Sequence, residues 1–252
     1  MNLASDDWLT AIFGRRVFKV SLPDPPPDRV PGTDFKAKLA SLVARPGFYY
    51  TRVSTARPDL VQALSAAGFK VVDVTVTFDR VPAKDLPGAD PPGVLVRDVL
   101  ATDHERLLDI AFSCFDYSRF HLDPDIPTGL ANLIKKEWVH NYLRGRRGDR
   151  LLVAAVAGQP VGFLCVMSAR VAGELTNIID LVGVDRAHQG RGAGKALINF
   201  FVAGSAGRFQ KLRVGTQIAN IPSLRLYEAC GFKVRETAYV LHAHVPGRGS
   251  QP

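Results

Sequence analysis

Apolar residues follow two spacings along most of this chain, and each spacing predicts one kind of element. Alternating or continuous apolar runs predict β-strands at residues 17–20, 47–53, 71–78, 94–99, 151–157, 161–171, 175–184, 211–216, 233–235 and 239–244. Apolar residues three or four apart predict helices at residues 35–44, 58–68, 102–111, 129–143, 194–203 and 222–231. This mixture of strands and helices predicts an α/β (α+β) fold with a mixed central sheet and flanking helices.

One short segment breaks the pattern and divides the chain. Residues 82–93 are rich in Pro, Gly and Asp, which predicts a linker. We therefore expect a small α/β N-terminal domain in residues 1–81 and a larger domain in residues 94–252. In the larger domain the predicted order of elements is β-α-α-β-β-β-α-β-α-β-β.

The clearest candidate site is the junction between the strand that ends at Val184 and the helix that begins near Gly194. A polar, glycine-rich turn lies between them. A strand, a glycine-rich turn and a helix N-terminus together aim backbone N–H groups at an anion, and glycine allows the ligand to approach the main chain closely. The expected ligand is a phosphate or a pyrophosphate.

Two common nucleotide-binding patterns do not fit this turn. The dinucleotide fingerprint G-x-G-x-x-G fails because its last position falls on Lys195 or Leu197. The loop G-x-x-x-x-G-K-[ST] could end at Gly194-Lys195, but its first position holds Gln189 and Ala196 follows the lysine. Residues 189–194 do match the pattern Gln/Arg-x-x-Gly-x-Gly/Ala.

In this pattern the chain resembles the GCN5-related N-acetyltransferases (the GNAT superfamily), whose corresponding motif binds the pyrophosphate of acetyl-CoA. The resemblance implies the GNAT acyltransferase fold from about residue 94 to residue 245. It also implies acetyl-CoA as co-substrate, with no metal. By resemblance the cofactor-binding residues of the turn are Gln189, Gly190, Arg191, Gly192, Ala193, Gly194 and Lys195.

A second block, within residues 212–232, follows the later signature of the same superfamily: an Asn, a short helix, a Tyr and a Gly-Phe pair. The resemblance implies that Asn220 and Ser223 contact the cofactor. It also implies that Tyr227 lies near the thioester sulfur as general acid for the leaving thiolate. A phenol within hydrogen-bond reach suits that role. The alternative for Tyr227 is an ordinary core tyrosine.

The strand before the turn carries further cofactor contacts in the superfamily, made here by the backbone of Leu181, Val182 and Val184. Gly183 within this apolar run predicts a β-bulge. The identity of the general base stays open. Many relatives have a Glu in this role, and this chain has Ile178 at the corresponding position. Asp180 lies on the same strand face and is the candidate, either accepting a proton through water or pairing with a basic neighbour. Glu174 and His121 are poorer candidates.

A narrower resemblance covers most of the chain. Segments 7–14, 64–69, 118–121 and 213–220 are similar to the dTDP-fucosamine acetyltransferases, which acetylate a nucleotide-linked amino sugar. Residues 82–93 and 144–150 depart from that group. The resemblance implies a small-molecule amine as acceptor, with a sugar nucleotide as the leading choice. The expected substrate-binding residues are Phe115, Tyr117, Arg119 and Phe120, for which surface charge and core packing are the alternatives.

Composition and charge limit the location and the partners that we expect for the protein. The chain has 252 residues, a net charge of +8 and three widely spaced cysteines, and it has no apolar run of about 20 residues. Without a recognisable secretion signal at the start, these features predict a cytoplasmic protein with no membrane partner. The basic residues are scattered, so an anionic small substrate explains the charge as well as nucleic acid would, and we expect no nucleic-acid partner.

Three alternatives remain beside an amino-sugar acetyltransferase. The acceptor could be another small-molecule or protein amine. The chain could instead sense acyl-CoA without turnover, or bind nucleic acid through its charge. A homodimer is an open expectation.

Overall fold

The computed structural model describes residues 1–22, 32–83 and 92–247. Its strands are β1 (Asn2–Ser5), β2 (Val17–Ser21), β3 (Gly47–Ser54), β4 (Lys70–Arg80), β5 (Val94–Asp98), β6 (Arg150–Val156), β7 (Gln159–Val171), β8 (Glu174–Val184), β9 (Lys211–Gln217) and β10 (Lys233–Val245). Its helices are α1 (Asp7–Phe13), α2 (Thr33–Leu42), α3 (Pro58–Ala66), α4 (His104–Ser113), α5 (Thr128–Leu143), α6 (Ala193–Ser205) and α7 (Ile221–Ala229). Across these ranges no helix combines the length and the apolar character that a membrane span needs.

The ten strands of the described residues join one sheet, in the order β1-β2-β3-β10-β4-β9-β8-β7-β6-β5. Neighbours are antiparallel except for the pairs β2–β3 and β8–β9. The C-terminal strand β10 lies between β3 and β4, and β4 in turn pairs with β9. Strands from the two halves of the chain therefore alternate within one sheet.

The mixed α/β fold is confirmed, although some elements differ from the sequence prediction. The predicted strands 233–235 and 239–244 form the single strand β10, because Glu236 and Thr237 pair with Thr77 and Val76 of β4. The division into two domains stays a prediction, and residues 84–91 of the predicted linker lie outside the described residues.

The sheet is covered on both faces, as the alternation of side chains along β6 shows. Leu152 packs in a core with α6, while Leu151 and Val153 pack in a second core with α4 and α5. A third cluster joins Leu9 of α1 to Ile134 of α5. The N-terminal helix therefore supports α5, which contributes to the wall of the candidate site.

Candidate active site

Strands β8 and β9 separate part-way along their length. Their parallel pairing runs from Thr176–Lys211 to Ile179–Val214 and ends there, although β8 continues to Val184 and β9 to Gln217. Beyond that pair, the two strands have no ladder with each other in the part of the chain that the structure describes. The divergence leaves main-chain groups of both strands available to a ligand between them.

A cavity of about 790 Å³ opens at this divergence. Its wall brings together nearly all of the site residues predicted from the sequence, namely Phe115, Tyr117, Arg119, Phe120, Asp180, Leu181, Val182, Val184, Gln189, Gly190, Gly192, Ala193, Gly194, Lys195, Asn220, Ser223 and Tyr227. Arg191 is exposed and lies outside this wall. Residues that are far apart in sequence thus surround one space.

The glycine-rich turn forms the end of the cavity beside β8. Gly190 and Gly192 have φ angles of +74° and +89°, and Gly192 is the N-cap of α6. These angles are in the left-handed region that favours glycine. The first amide groups of a helix have no partner within the helix, so those of Ala193, Gly194 and Lys195 can bind an anion.

Gln189 has a structural role in this turn. Its side-chain Nε2 donates a hydrogen bond of 3.0 Å to the carbonyl oxygen of Val184. The contact joins the turn to the end of β8. The side chain of Gln189 thus holds the loop in place.

Helix α7 brings Asn220 and Tyr227 to the same cavity. Asn220 caps the helix, because its Oδ1 accepts a hydrogen bond of 3.2 Å from the backbone N–H of Ser223, which leaves its Nδ2 group as a donor. Tyr227 lies two turns further on and is 2% exposed, with its ring near Phe78 and Phe232. Burial raises the pKa of Tyr227 above its ordinary value, so the phenol stays protonated at neutral pH.

Asp180 is held by four hydrogen bonds. Arg147 donates from Nε to Oδ2 at 2.7 Å and from Nη2 to Oδ1 at 2.9 Å. Trp138 and Tyr142 each donate to Oδ2 at 2.8 Å. Burial acts to raise the pKa of Asp180, but these donors outweigh it and lower the pKa below its ordinary value. The carboxylate is therefore a weak proton acceptor.

The predicted bulge in β8 is present, but not at Gly183. The register shifts between the pairs Cys165–Leu181 and Val166–Ile179, which makes Asp180 the extra residue, whereas Gly183 pairs directly with Phe163. A Cβ at Gly183 would lie 2.8 Å from both the sulfur of Cys114 and the ring of Phe163. Close packing, and not a bulge, explains this glycine.

The loop between α4 and α5 forms the opposite wall. The guanidinium of Arg119 lies over the rings of Tyr50 and Phe120, 4.0 and 4.4 Å from their centroids. Phe120 itself is only 2% exposed and belongs to the core, while Tyr117 is exposed. Of the two remaining base candidates, Glu174 is bound to Lys211, and His121 is hydrogen-bonded to Ser118 and Asn132.

The sequence model of the Acetyltransferase (GNAT) family matches residues 105–232, just over half of the chain. The chain belongs to the GNAT acetyltransferase family. The predicted family is thus confirmed. The matched segment of this GNAT chain contains the glycine-rich turn, Asn220 and Tyr227.

Individual relatives add detail. The GNAT chain is 30% identical over 166 residues to the spore coat polysaccharide biosynthesis protein SpsD of Bacillus subtilis, with 66% of this chain and 53% of that protein aligned. It is 24% identical over 193 residues to dTDP-fucosamine acetyltransferase of Escherichia coli, with 76% and 79% aligned. A GCN5-related N-acetyltransferase from Kribbella flavida has the same fold, with a TM-score of 0.57, 16% identity and coverage of 92% and 82%. The chain spans about half the length of the first relative.

Lys135 is a cavity residue of this GNAT chain that the sequence analysis missed. It lies on α5, lines the cavity and is 8% exposed. A signal for it was present, because Lys135 is four residues from both Ala131 and Val139 and so lies on the buried face of the helix. A charge at such a position requires an explanation.

Asp123, His242 and His244 form a hydrogen-bonded cluster next to Arg119. Asp123 Oδ2 accepts hydrogen bonds from His242 Nδ1 at 2.6 Å and from His244 Nε2 at 2.8 Å, while Arg119 Nη1 lies 3.4 Å from His242 Nε2. These three residues could in principle hold a metal ion. Their donor atoms are already bound to one another, however, and the guanidinium groups of Arg15 and Arg119 adjoin them. The arrangement suits the orientation of Arg119 better than it suits a cation.

Proposed function

We propose that this GNAT protein transfers the acetyl group of acetyl-CoA to the primary amine of a small molecule, and that its acceptor is a nucleotide-linked amino sugar. The observation that carries the proposal is the divergence of β8 and β9, which leads from the glycine-rich turn to a cavity with Tyr227 in its wall. The names of two relatives, one in polysaccharide biosynthesis and one a dTDP-fucosamine acetyltransferase, support the choice of a sugar.

The residues beside the divergence fit a coenzyme of this type. Gly190 and Gly192 have no Cβ to obstruct a diphosphate, and the first turn of α6 offers amide donors. Beyond Ile179, β8 has no ladder with β9 in the described residues, so the edge of β8 that faces away from β7 over residues 181–184, apart from the Val184 carbonyl that Gln189 binds, and the Nδ2 group of Asn220 are available to an amide-containing arm. When bound, acetyl-CoA supplies an activated acetyl group as a thioester.

We assign Tyr227 Oη as the proton donor to the leaving sulfur. No described residue forms a hydrogen bond with this hydroxyl, and its raised pKa keeps it protonated until charge develops on the sulfur. The acceptor nitrogen forms the amide bond as the carbon–sulfur bond breaks. The proton that this nitrogen loses restores the phenol, so the net result is an amide and a free thiol.

For Asp180 we propose a positioning role in place of the expected role as base. Its four hydrogen bonds occupy both carboxylate oxygens, and Trp138 and Arg147, which it holds, both line the cavity. Water in the cavity then relays the proton of the acceptor amine.

The charges of the acceptor side support an anionic acceptor. Arg52, Arg119 and Lys135 line this side of the cavity, and none of them forms an ion pair with a carboxylate among the described residues. A nucleotide diphosphate matches this charge. A cytoplasmic location, a homodimeric state and the absence of metal and of nucleic-acid partners stay predictions.

Two measurements test the proposal together. Calorimetry measures the affinity for CoA, and a thiol assay measures CoA release with amino-sugar nucleotides, polyamines and peptides as separate acceptors. We expect thiol release that depends on an amino-sugar nucleotide and is absent when the corresponding hydroxy-sugar nucleotide replaces it. Release with polyamines or peptides alone would reject the sugar acceptor. CoA binding without release for any amine would instead indicate a sensor.

A further inference from the structure

Lys135 is a buried cation without a counter-charge. Its side chain is 8% exposed, and its Nζ lies 5.0 Å from the ring centroid of Phe115 and 5.2 Å from that of Trp138. Within residues 1–22, 32–83 and 92–247, it forms no hydrogen bond or ion pair. Burial and then the nearby Arg119 lower the pKa of Lys135 to about 8. Burying an unpaired ammonium is unfavourable unless something compensates it.

The carboxylates that could compensate Lys135 are already occupied. Asp180 acts on Lys135 through space, but both of its oxygens are bound by Arg147. Asp116, also in the cavity wall, is bound by Arg186 at 2.6 Å. Internal ion pairs thus leave the charge of Lys135 free for a ligand.

Arg119 is the second cation of this wall, and contacts with neighbouring side chains fix its orientation. Its guanidinium lies over the rings of Tyr50 and Phe120, and its Nη1 lies 3.4 Å from His242 Nε2. Burial lowers its pKa to about 10, so it stays charged at neutral pH. The carboxylate that acts on Arg119 through space is that of Asp6, which accepts a hydrogen bond from the Tyr50 hydroxyl and forms no ion pair with Arg119 among the described residues.

We infer that Lys135 and Arg119 form an anion-binding subsite for phosphoryl groups of the acceptor, and that Lys135 selects acceptors that carry such a group. Two adjoining cations in a cavity wall, with no carboxylate bound to either, match an anion that arrives with the substrate. This inference rests on the proposed function, because the subsite belongs to the acceptor side of the same cavity. It deepens that function by naming the residue that recognises the anion.

Trp138 provides a direct reporter, because its ring contacts Lys135. In a Trp8→Phe background, Trp138 is the one remaining tryptophan of the chain, so its fluorescence reports on the subsite. The probes are inorganic pyrophosphate and dTDP, with thymidine as the uncharged comparison. The titrations are made with and without saturating CoA, because CoA fills the glycine-rich turn, where pyrophosphate could also bind.

We expect pyrophosphate and dTDP to bind in the presence of CoA, and thymidine to bind far more weakly. Lys135→Gln should raise both dissociation constants about tenfold or more, while Lys135→Arg, which keeps the charge, should restore most of the affinity. Lys136→Gln, a neighbouring lysine outside the cavity wall, is the matched control and should change neither constant. Lys135→Gln should also keep or raise Tm, because it removes an uncompensated buried charge.

Other results would overturn the inference. Unchanged anion affinity in Lys135→Gln, or anion binding that CoA abolishes, would show that the anions bind elsewhere. A Lys135→Arg variant with normal acceptor KM and a greatly reduced kcat would assign Lys135 to proton transfer. CoA affinity, measured separately, tests the proposed function, whereas the dependence of anion affinity on Lys135 tests the subsite whether or not CoA binds.

Discussion

The two sides of the cavity are built from different groups. The cofactor side consists of backbone: the amides that follow Gly192 and the main chain of β8 beyond Ile179. The acceptor side consists of charged side chains, chiefly Arg119, Lys135 and the Arg147–Asp180 pair. A backbone site recognises a chemical group that every member of a family shares, whereas side chains can change from one acceptor to another. We therefore expect the cofactor side to be common to the family and the acceptor side to determine the specificity for the acceptor.

Tyr227 lines the cavity and is the proposed proton donor, so its change should have the largest effect. Tyr227→Phe removes the proposed proton donor and keeps the buried ring. We expect kcat to fall by about 10²–10⁴-fold, with CoA affinity and acceptor KM nearly unchanged. Thiol-release kinetics and calorimetry measure the three quantities. Tyr239→Phe, at a tyrosine of β10 outside the cavity wall, is the control, and a normal kcat for Tyr227→Phe would remove the general-acid role.

A variant of Asp180 tests whether the stability of the acceptor side depends on the ion pair between Asp180 and Arg147. Asp180→Ala leaves Arg147, Trp138 and Tyr142 without their acceptor, so the free energy of unfolding should fall by about 2–4 kcal/mol. Denaturant unfolding measures it. The exposed Arg150–Asp98 pair gives the control, because Asp98→Ala should cost less than about 1 kcal/mol.

The milder variant Asp180→Asn addresses the alternative role of this residue. If Asp180 only positions its neighbours, the pH profile of kcat/KM keeps its shape in this variant. Loss of the acidic limb of that profile would restore Asp180 as the base.

The variant Gly192→Ala tests the cofactor side, which consists of backbone, separately from the acceptor side. Alanine at its positive φ angle introduces a strain of about 1–2 kcal/mol, which should displace the following amides. CoA affinity should fall about tenfold, whereas binding of dTDP to the acceptor side should not change. Gly207, with a φ angle of +75° and open space around it after α6, provides the control. Equal loss of CoA affinity in Gly207→Ala would show that general strain is responsible.

The smallest expected effect is a dependence of acceptor affinity on pH. The charged and titratable groups around Lys135 are Arg119, Arg147, Asp180, Cys114, Cys165 and His121. Burial raises the pKa of Cys165 and lowers that of His121, so both stay neutral near pH 8. Burial raises the pKa of Cys114 to about 12, so it stays neutral and Lys135 is the group that titrates near pH 8. The anion binds the charged ammonium, so its affinity should be constant below pH 8 and fall above it. The decline should disappear in Lys135→Arg, and its persistence there would implicate another group.

The same contrast explains what the sequence could predict. The glycine-rich turn and the α7 block are local, because a few consecutive residues determine both their conformation and their chemistry. Their family and the mixed fold were predicted correctly. Gly183 was misinterpreted because its reason, a close approach of Cys114 and Phe163, exists only in three dimensions.

Non-local features could not be predicted in this way. The position of β10 between β3 and β4, and the proximity of Arg119 to His242, join residues more than one hundred positions apart. The buried face of α5 could have indicated Lys135, but the absence of a partner for its charge depends on Arg147 holding Asp180. Helical spacing identifies a buried position without revealing its neighbours.

The account depends above all on a coenzyme that binds between β8 and β9 with its sulfur beside Tyr227. A crystal structure of the CoA complex tests this directly. We predict the diphosphate against the amides of Ala193 to Lys195, and the sulfur within about 4 Å of Tyr227 Oη. CoA bound elsewhere, or a phenol hydroxyl that faces away from the sulfur, would contradict the account.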